Sequence, residues 1–314
     1  MFNILYCFDE NYNIQAYCSI ISLLNHSNEK VSIYIIHKDP ETFEQYNEKI
    51  KKHNNLLTLN IYKFDKKDIN FPNFKNSHFS NAIFYRLFLE SYVPKNIDFV
   101  LYIDADAYFI KEYQLKLTQS IEKLKKSNKI LSAQTNEVLH NEKNRLNLSS
   151  GRYLNSGVLL INYQLWIKNN CSFQLSSILQ NRKSDFLWHD QDILSLFFDG
   201  SYEELDEDLN FNVYGKQRLS RDLYEKIEND AVVIHYSGKF KPWSPKGIFA
   251  LDSKYYYDIF RKLFKPKYHI VNVWTPNTLR ILIINIFNLK IWKLEYPFQY
   301  FKLIISSLNK NINL

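Results

Sequence analysis

The chain has 314 residues, 46% of them hydrophobic, enough to bury a sizeable core in one large α/β domain with an extension or in two domains. Six glycines, with neither a G-x-G-x-x-G nor a P-loop pattern, exclude a dinucleotide fingerprint and a Walker-type cradle, so any phosphate must be held by a metal and side chains. Lys and Arg number 40 against 33 Asp and Glu, a net charge of +7 that suits an anionic small ligand, an anionic membrane or nucleic acid.

Residues 2–8 read as a short apolar strand that delivers Asp9, Glu10, Asn11 and Tyr12 to its carboxyl end, a nucleoside-binding edge. No basic stretch and signal-type apolar stretch follow Met1, so a cytosolic protein is expected. Cys7, Cys18 and Cys171 are scattered and odd in number, which suits buried thiols in a reducing compartment. Residues 13–25 form a first crossover helix, 31–36 a second strand, 40–53 a helix and 57–62 a third strand. Strands alternating with helices imply a parallel sheet with right-handed crossovers. Residues 76–92 read as a helix with Phe84, Leu87, Phe88 and Leu89 on its apolar side and Arg86 among them. That arginine is either a snorkelling or salt-bridged residue or a diphosphate partner.

The run 99–103 is apolar throughout and reads as a fully buried strand. Asp104 and Asp106 follow it at the edge where open α/β sheets bind ligands. If the chain is still extended there, both carboxylates face one side and suit Mg²⁺ or Mn²⁺ bridging a diphosphate. The same pair also reads as a solvated or capping Asp pair at a strand end, so the rest of the sequence has to decide.

A Lys-rich amphipathic segment, 120–129, leads to a strand over 129–134, with Gln134, Thr135 and Asn136 at the ligand edge. Asn155-Ser156-Gly157 opens a buried strand that runs to Asn162, and Gly157 suggests close backbone approach by a ligand or another segment. Asp190, Gln191 and Asp192 stand just before an apolar helix over 193–198, more polar groups than an N-cap needs. The strand starting at Ala231 has a chemically loaded exit. His235 offers a neutral nitrogen, Gly238 permits close approach, and Lys239 and Lys241 offer charges suited to phosphate.

Together Asp104-Ala-Asp106, Asn155-Ser-Gly-Val-Leu-Leu-Ile-Asn162, Asp190-Gln-Asp192 and His235-Tyr-Ser-Gly-Lys-Phe-Lys-Pro-Trp243, in this order and at these distances, resemble glycosyltransferase family 8. These are the retaining GT-A enzymes that include bacterial lipooligosaccharide galactosyltransferases. The resemblance covers residues 2–245. It implies a GT-A catalytic domain over 1–265, α/β with a mostly parallel central sheet. It also implies transfer of galactose or glucose from a UDP-sugar to a cell-surface glycan or lipid-linked acceptor.

Carried over by position, it makes Asp104, Asp106 and His235 ligands of Mn²⁺ (or Mg²⁺). Phe8, Asp9, Asn11 and Tyr12 become the nucleoside contacts, and Arg86 and Ala105 lie near the donor. Gly238 and Lys241 become the phosphate contacts. Asn136, Asn155, Asp190 and Gln191 form the donor-sugar pocket, with Gln191 opposite the leaving group. The family often has Asp where Asn136 stands, a departure at a sugar-hydroxyl contact. Gln191, Asp190 and Asp192 are the candidates for catalysis, and because Gln191 is a poor nucleophile, front-face transfer is expected over a covalent intermediate.

From residue 266 to 314 the chain changes character. Lys267, Arg280, Lys290, Lys293 and Lys302 alternate with Trp274, Ile281, Phe287, Trp292, Phe298 and Phe301, against a single acid, Glu295. The longest apolar run is far short of the ~20 residues a membrane span needs. The composition suits a helical tail on an anionic bilayer at the inner face of the cell membrane, or one packed on the catalytic domain. Two other classes stay open: a nucleotidyltransferase using the same D-x-D pair, and a non-catalytic basic binder. With the basic excess in the tail, no nucleic-acid partner is expected.

Overall fold

Alternate residues of β1 (Phe2–Phe8) point to opposite faces, dividing the interior in two: Ile4, Tyr6 and Phe8 enter one apolar cluster, Leu5 and Cys7 the other. This computed structural model describes residues 1–66, 69–72, 80–136, 141–181, 186–215, 220–271 and 275–312. Residues 76–79 of the helix expected over 76–92, and Trp274, lie outside them.

Among the described residues the main sheet has seven strands, in the order β3 (Leu56–Lys63), β2 (Val31–His37), β1, β4 (Phe99–Ile103), β7 (Leu154–Asn162), β6 (Leu131–Thr135) and β8 (Glu203–Glu204). The pairs β3–β2, β2–β1, β1–β4 and β6–β8 are parallel, and β7 alone runs against its neighbours β4 and β6. A second sheet of three short strands joins β5 (Ala107–Phe109) to β10 (Val233–Tyr236) and β10 to β9 (Phe211–Val213). The helices are α1 (Asn13–Asn25), α2 (Glu44–Lys51), α3 (Gln114–Ser127), α4 (Glu142–Arg145), α5 (Tyr163–Lys168), α6 (Cys171–Asn181), α7 (Asp190–Phe198), α8 (Arg221–Asp230), α9 (Ser253–Leu263), α10 (Pro276–Phe287) and α11 (Pro297–Ile312).

This is the expected mixed α/β fold with a mostly parallel sheet flanked by helices, and its departures from the sequence reading are local. The helix expected over 76–92 is a 3₁₀ segment, Asn81–Ser91, interrupted by non-helical angles at Phe88. Residues 84–89 are all buried, so the segment has no solvent face to hold it to a 3.6-residue period. The helix expected over 40–53 opens as a 3₁₀ turn, Pro40–Phe43, before α2. The Lys-rich segment is the second half of α3, which stops where Asn128 turns left-handed at φ 53°.

The tail forms two helices, α10 and α11, joined by a 3₁₀ turn, Lys290–Lys293. Leu282, Ile291, Tyr300 and Ile304 are buried in the same cluster as α1 and α9, and Tyr300 meets the rings of Phe249 and Tyr268 edge-on. Arg261 of α9 pairs with Glu295. Phe287, Trp292, Phe298 and Ile305 are left exposed. No described helix is long and apolar enough to cross a membrane.

Candidate active site

The strand directions bring the chemistry to one edge. β1 and β4 are parallel, so Asp9 and Asp104 leave at the same end of the sheet, and β7 runs the other way, so its beginning, Asn155 to Gly157, lies there too. Asp104 N–H donates to Gly157 O at 2.8 Å, fixing the two segments side by side.

The D-x-D pair is not extended. Ala105 and Asp106 form a turn closed by Ala107 N–H donating to Asp104 O at 3.0 Å. The carboxylates converge through that turn and not through strand alternation. His235 reaches them because β10 pairs with β5, placing it opposite Ala107. Its Nε2 lies 3.3 Å from Asp106 Oδ1 and 3.8 Å from Asp104 Oδ2, and one ligand atom of each of the three residues lies within 4.8 Å of the others. Gly157 earns its place here: a Cβ on it would stand 2.0 Å from His235 Cε1. The close approach foreseen at this glycine is made by the imidazole.

The donor set fits a hard divalent cation. Asp106 is buried, and its Oδ1 accepts no hydrogen bond, an orphaned carboxylate oxygen facing an imidazole nitrogen. Burial opposes ionisation of Asp106, but the ammonium of Lys241 outweighs it and holds the carboxyl below the usual carboxylate range. Lys241 Nζ donates to both Asp106 Oδ2 and Tyr236 O.

Arg86 is the second charged centre, and it is buried. Its guanidinium lies 3.9 Å above the Tyr102 ring centroid and donates to Asp104 Oδ1 at 2.7 Å and Ser156 O at 2.6 Å. The nitrogen that donates to Ser156 O is also 3.3 Å from Asp190 Oδ2. Arg86 therefore ties the D-x-D turn to the start of α7. Asp190 is the less content partner: burial pushes its carboxyl up to about 6, only partly offset by Arg86.

Asp190, Gln191 and Asp192 form the first turn of α7 instead of preceding it. Their backbone is set by His189, which stands at φ 55°. The three side chains diverge. Gln191 Oε1 accepts from Ser156 N–H at 3.2 Å, beside Asp190. Asp192 is fully buried facing away, accepting from Tyr153 Oη and Arg145 at 2.7 Å each and from Trp188 N–H at 3.1 Å.

At the edge expected to receive the nucleoside, Phe8 and Asp9 are buried, and Asp9 Oδ1 accepts from Asn11 N–H at 3.0 Å, capping a 3₁₀ turn, Glu10–Tyr12. Asn11 is exposed, and the Tyr12 ring stands edge-on to Trp243. Ala105 is buried in the D-x-D turn. Asn136 is tied by its N–H to Tyr153 O at 2.7 Å, and Gly238 sits exposed in the turn after β10 at φ 72°. Four residues that hold the site were not singled out for it: Tyr102, Arg145, Tyr153 and Asn210. Arg145, Tyr153 and Asn210 act through partners far away in the chain, and Tyr102, which donates to Asp104 two residues on, lies in an apolar run that does not distinguish it from its neighbours.

A sequence model described as "Glycosyl transferase family 8" matches residues 3–247. A lipopolysaccharide 1,2-glucosyltransferase of Escherichia coli is 28% identical over 77% of this chain and 73% of its own length. A lipopolysaccharide 1,3-galactosyltransferase of Salmonella typhimurium is 26% identical over 96% and 90%. Among solved structures, the galactosyltransferase LgtC in complex with donor and acceptor sugar analogues superposes with a TM-score of 0.67 at 19% identity, covering 89% of this chain and all of that one, a likeness of fold. The match sets aside the nucleotidyltransferase reading. With four sequence motifs and the fold in agreement, the chain belongs to glycosyltransferase family 8.

Proposed function

We propose that the protein transfers a hexose, galactose or glucose, from a UDP-sugar to a cell-surface glycan or lipid-linked acceptor, with retention at the anomeric carbon and with Mn²⁺ (or Mg²⁺) at the site. The observation that carries this reading is the convergence of Asp104, Asp106 and His235 around an orphaned carboxylate oxygen. Bound there, a divalent cation would neutralise the charge that develops on the departing diphosphate. Lys241, already beside Asp106, is placed to add a second positive charge to the same phosphates, with Gly238 leaving the turn open to them. Phe8, Asp9, Asn11 and Tyr12 receive the nucleoside. Asn155, Asp190 and Gln191 face the hexose, with Ala105 and Asn136 at its border, and Arg86 fixes Asp104 and Asp190 in place.

Front-face transfer fits these partners. Asp192 is saturated by Arg145, Tyr153 and the Trp188 amide, which makes it a positioning group, and Gln191 is a weak nucleophile. The test is a panel of UDP-sugars assayed for UDP release with Mn²⁺ and with chelator. Turnover of UDP-galactose or UDP-glucose that stops on chelation is expected, with no glycosyl adduct on Asp190 or Asp192 by mass spectrometry. Undiminished turnover under chelator would defeat the metal reading, and a trapped adduct the front-face one.

The tail reading becomes more specific once its buried face is known. Leu282, Ile291, Tyr300 and Ile304 anchor it to the catalytic core, while Phe287, Trp292 and Phe298 stay exposed among the exposed Arg280, Lys293 and Lys302. We propose that this outer face lies on an anionic membrane surface on the cytoplasmic side, where a lipid-linked acceptor would be found. The full-length Phe287→Asp, Phe298→Asp double variant should float with phosphatidylglycerol vesicles at least about 10-fold less than the parent. Turnover of a soluble acceptor should be unchanged. Equal flotation of variant and parent would remove the membrane contact.

A further inference from the structure

Only one of the two ring nitrogens of His235 can coordinate a cation shared with Asp104 and Asp106, and a chain of side-chain amides decides which. The backbone N–H of Gly157 can only donate, and it meets Asn155 Oδ1 at 3.0 Å, which fixes the orientation of that amide. The same Oδ1 accepts from Asn210 Nδ2 at 3.0 Å, so Asn210 must present its oxygen on the far side. Asn210 Oδ1 lies 3.0 Å from His235 Nδ1, and an acceptor there requires the ring proton on Nδ1. A neutral imidazole with that proton has a bare Nε2, and Nε2 is the nitrogen facing the two carboxylates.

Burial makes the relay rigid. Asn210 is fully buried, at the end of a 3₁₀ turn, Glu207–Asn210, that leads into β9, and Asn155 and His235 are buried beside it. The imidazole occupies the space that a Cβ on Gly157 would fill and so packs directly on the Gly157 backbone. A bare Nε2 opposite an orphaned Asp106 Oδ1 sets two lone pairs against each other, an arrangement that favours a cation between them.

We propose that Asn210 is a positioning residue that locks His235 in its Nδ1–H tautomer and so makes Nε2 a ligand for a divalent cation. The inference rests on the metal-site reading given above. Asn155 is the outer link of the same relay. Its oxygen is committed to Gly157 and Asn210, which leaves its Nδ2 as the group for a donor hydroxyl.

The test uses the full-length protein labelled with ¹⁵N-histidine and freed of metal. In long-range ¹H–¹⁵N correlation spectra His235, assigned by its loss in His235→Gln, should carry its proton on Nδ1. Asn210→Leu should lose that tautomer preference and bind Mn²⁺, read by the electron paramagnetic resonance of the free ion, ~10–100-fold more weakly. Asn210→Asp keeps an oxygen opposite Nδ1 and should keep both the tautomer and most of the affinity, which a purely structural role for the amide would not produce. An Nε2–H tautomer in the unsubstituted protein overturns the proposal without any variant having to fold. So does a folded Asn210→Leu that holds Mn²⁺ as tightly as the parent. Unchanged Mn²⁺ binding by His235→Gln is the distinct result that brings down the metal site itself.

Discussion

Asp106→Asn should lower metal-dependent release of UDP from a UDP-hexose by about three orders of magnitude or more. The substitution keeps the volume of the side chain and removes its charge, so the loss reads the carboxylate and not the packing. Asp106 meets His235 through one oxygen and Lys241 through the other, so the amide removes the proposed metal ligand and the counter-ion of Lys241 together. The folded state is expected to lose about 1–3 kcal/mol, less than for a fully enclosed ion pair because Lys241 keeps some solvent and the Tyr236 carbonyl. Turnover, Mn²⁺ titration and urea unfolding on one preparation separate the effects. A variant that keeps a tenth of the parent's turnover would mean that this carboxylate does not hold the metal.

Asp190→Asn should cut turnover by at least about 100-fold while making the protein more stable at pH 8. The stability effect follows from burial, which pushes this carboxyl up to about 6 in the folded chain from an ordinary value near 3.8. Between those values the folded state binds more protons than the unfolded one, so stability contributed at this position is highest below the unfolded pKa and falls as pH rises through the folded one. At pH 8 the ionised carboxylate costs ~1–3 kcal/mol, and an asparagine of the same shape avoids that cost. Arg86 keeps Asp104 and the Ser156 carbonyl as partners in the variant. The gain should shrink through the window from pH 6 to 4 and vanish below it. Urea unfolding of both proteins at pH 8, 6 and 4 measures it, and a difference that does not change with pH would remove the assigned cause.

The parts of this architecture that show in the sequence are those in which a single segment carries its own signal. Runs of buried residues gave β1, β2, β4 and β7, and α1 has the bounds that its apolar spacing predicts. The reversed direction of β7 was not legible, because a strand buried on both faces reads the same in either direction. Nor was the turn at Ala105, since a carboxylate pair two residues apart satisfies both an extended chain and a tight bend.

The site divides in the same way. Asp104, Asp106, His235 and Lys241 are charged or metal-binding groups set among apolar neighbours and attract notice one at a time. Asn210 and Tyr102 do not, because an amide or a phenol at a strand acquires a role only when a partner from another segment packs against it, His235 for Asn210 and the Arg86 guanidinium for Tyr102. The tail shows the converse limit. Its composition fits both packing and membrane contact, and only the fold shows which residues face the core.

The pairing of β5 with β10 also sets when the site comes into being during synthesis. The two aspartates leave the ribosome well before β10 does, and the imidazole, the lysine and the Asn210 relay all belong to that later portion. A nascent or broken chain that stops short of β10 therefore carries the carboxylates alone. It lacks the nitrogen that would complete the proposed cation site, so on that reading competence to hold an ion is a late event that follows docking of the second sheet.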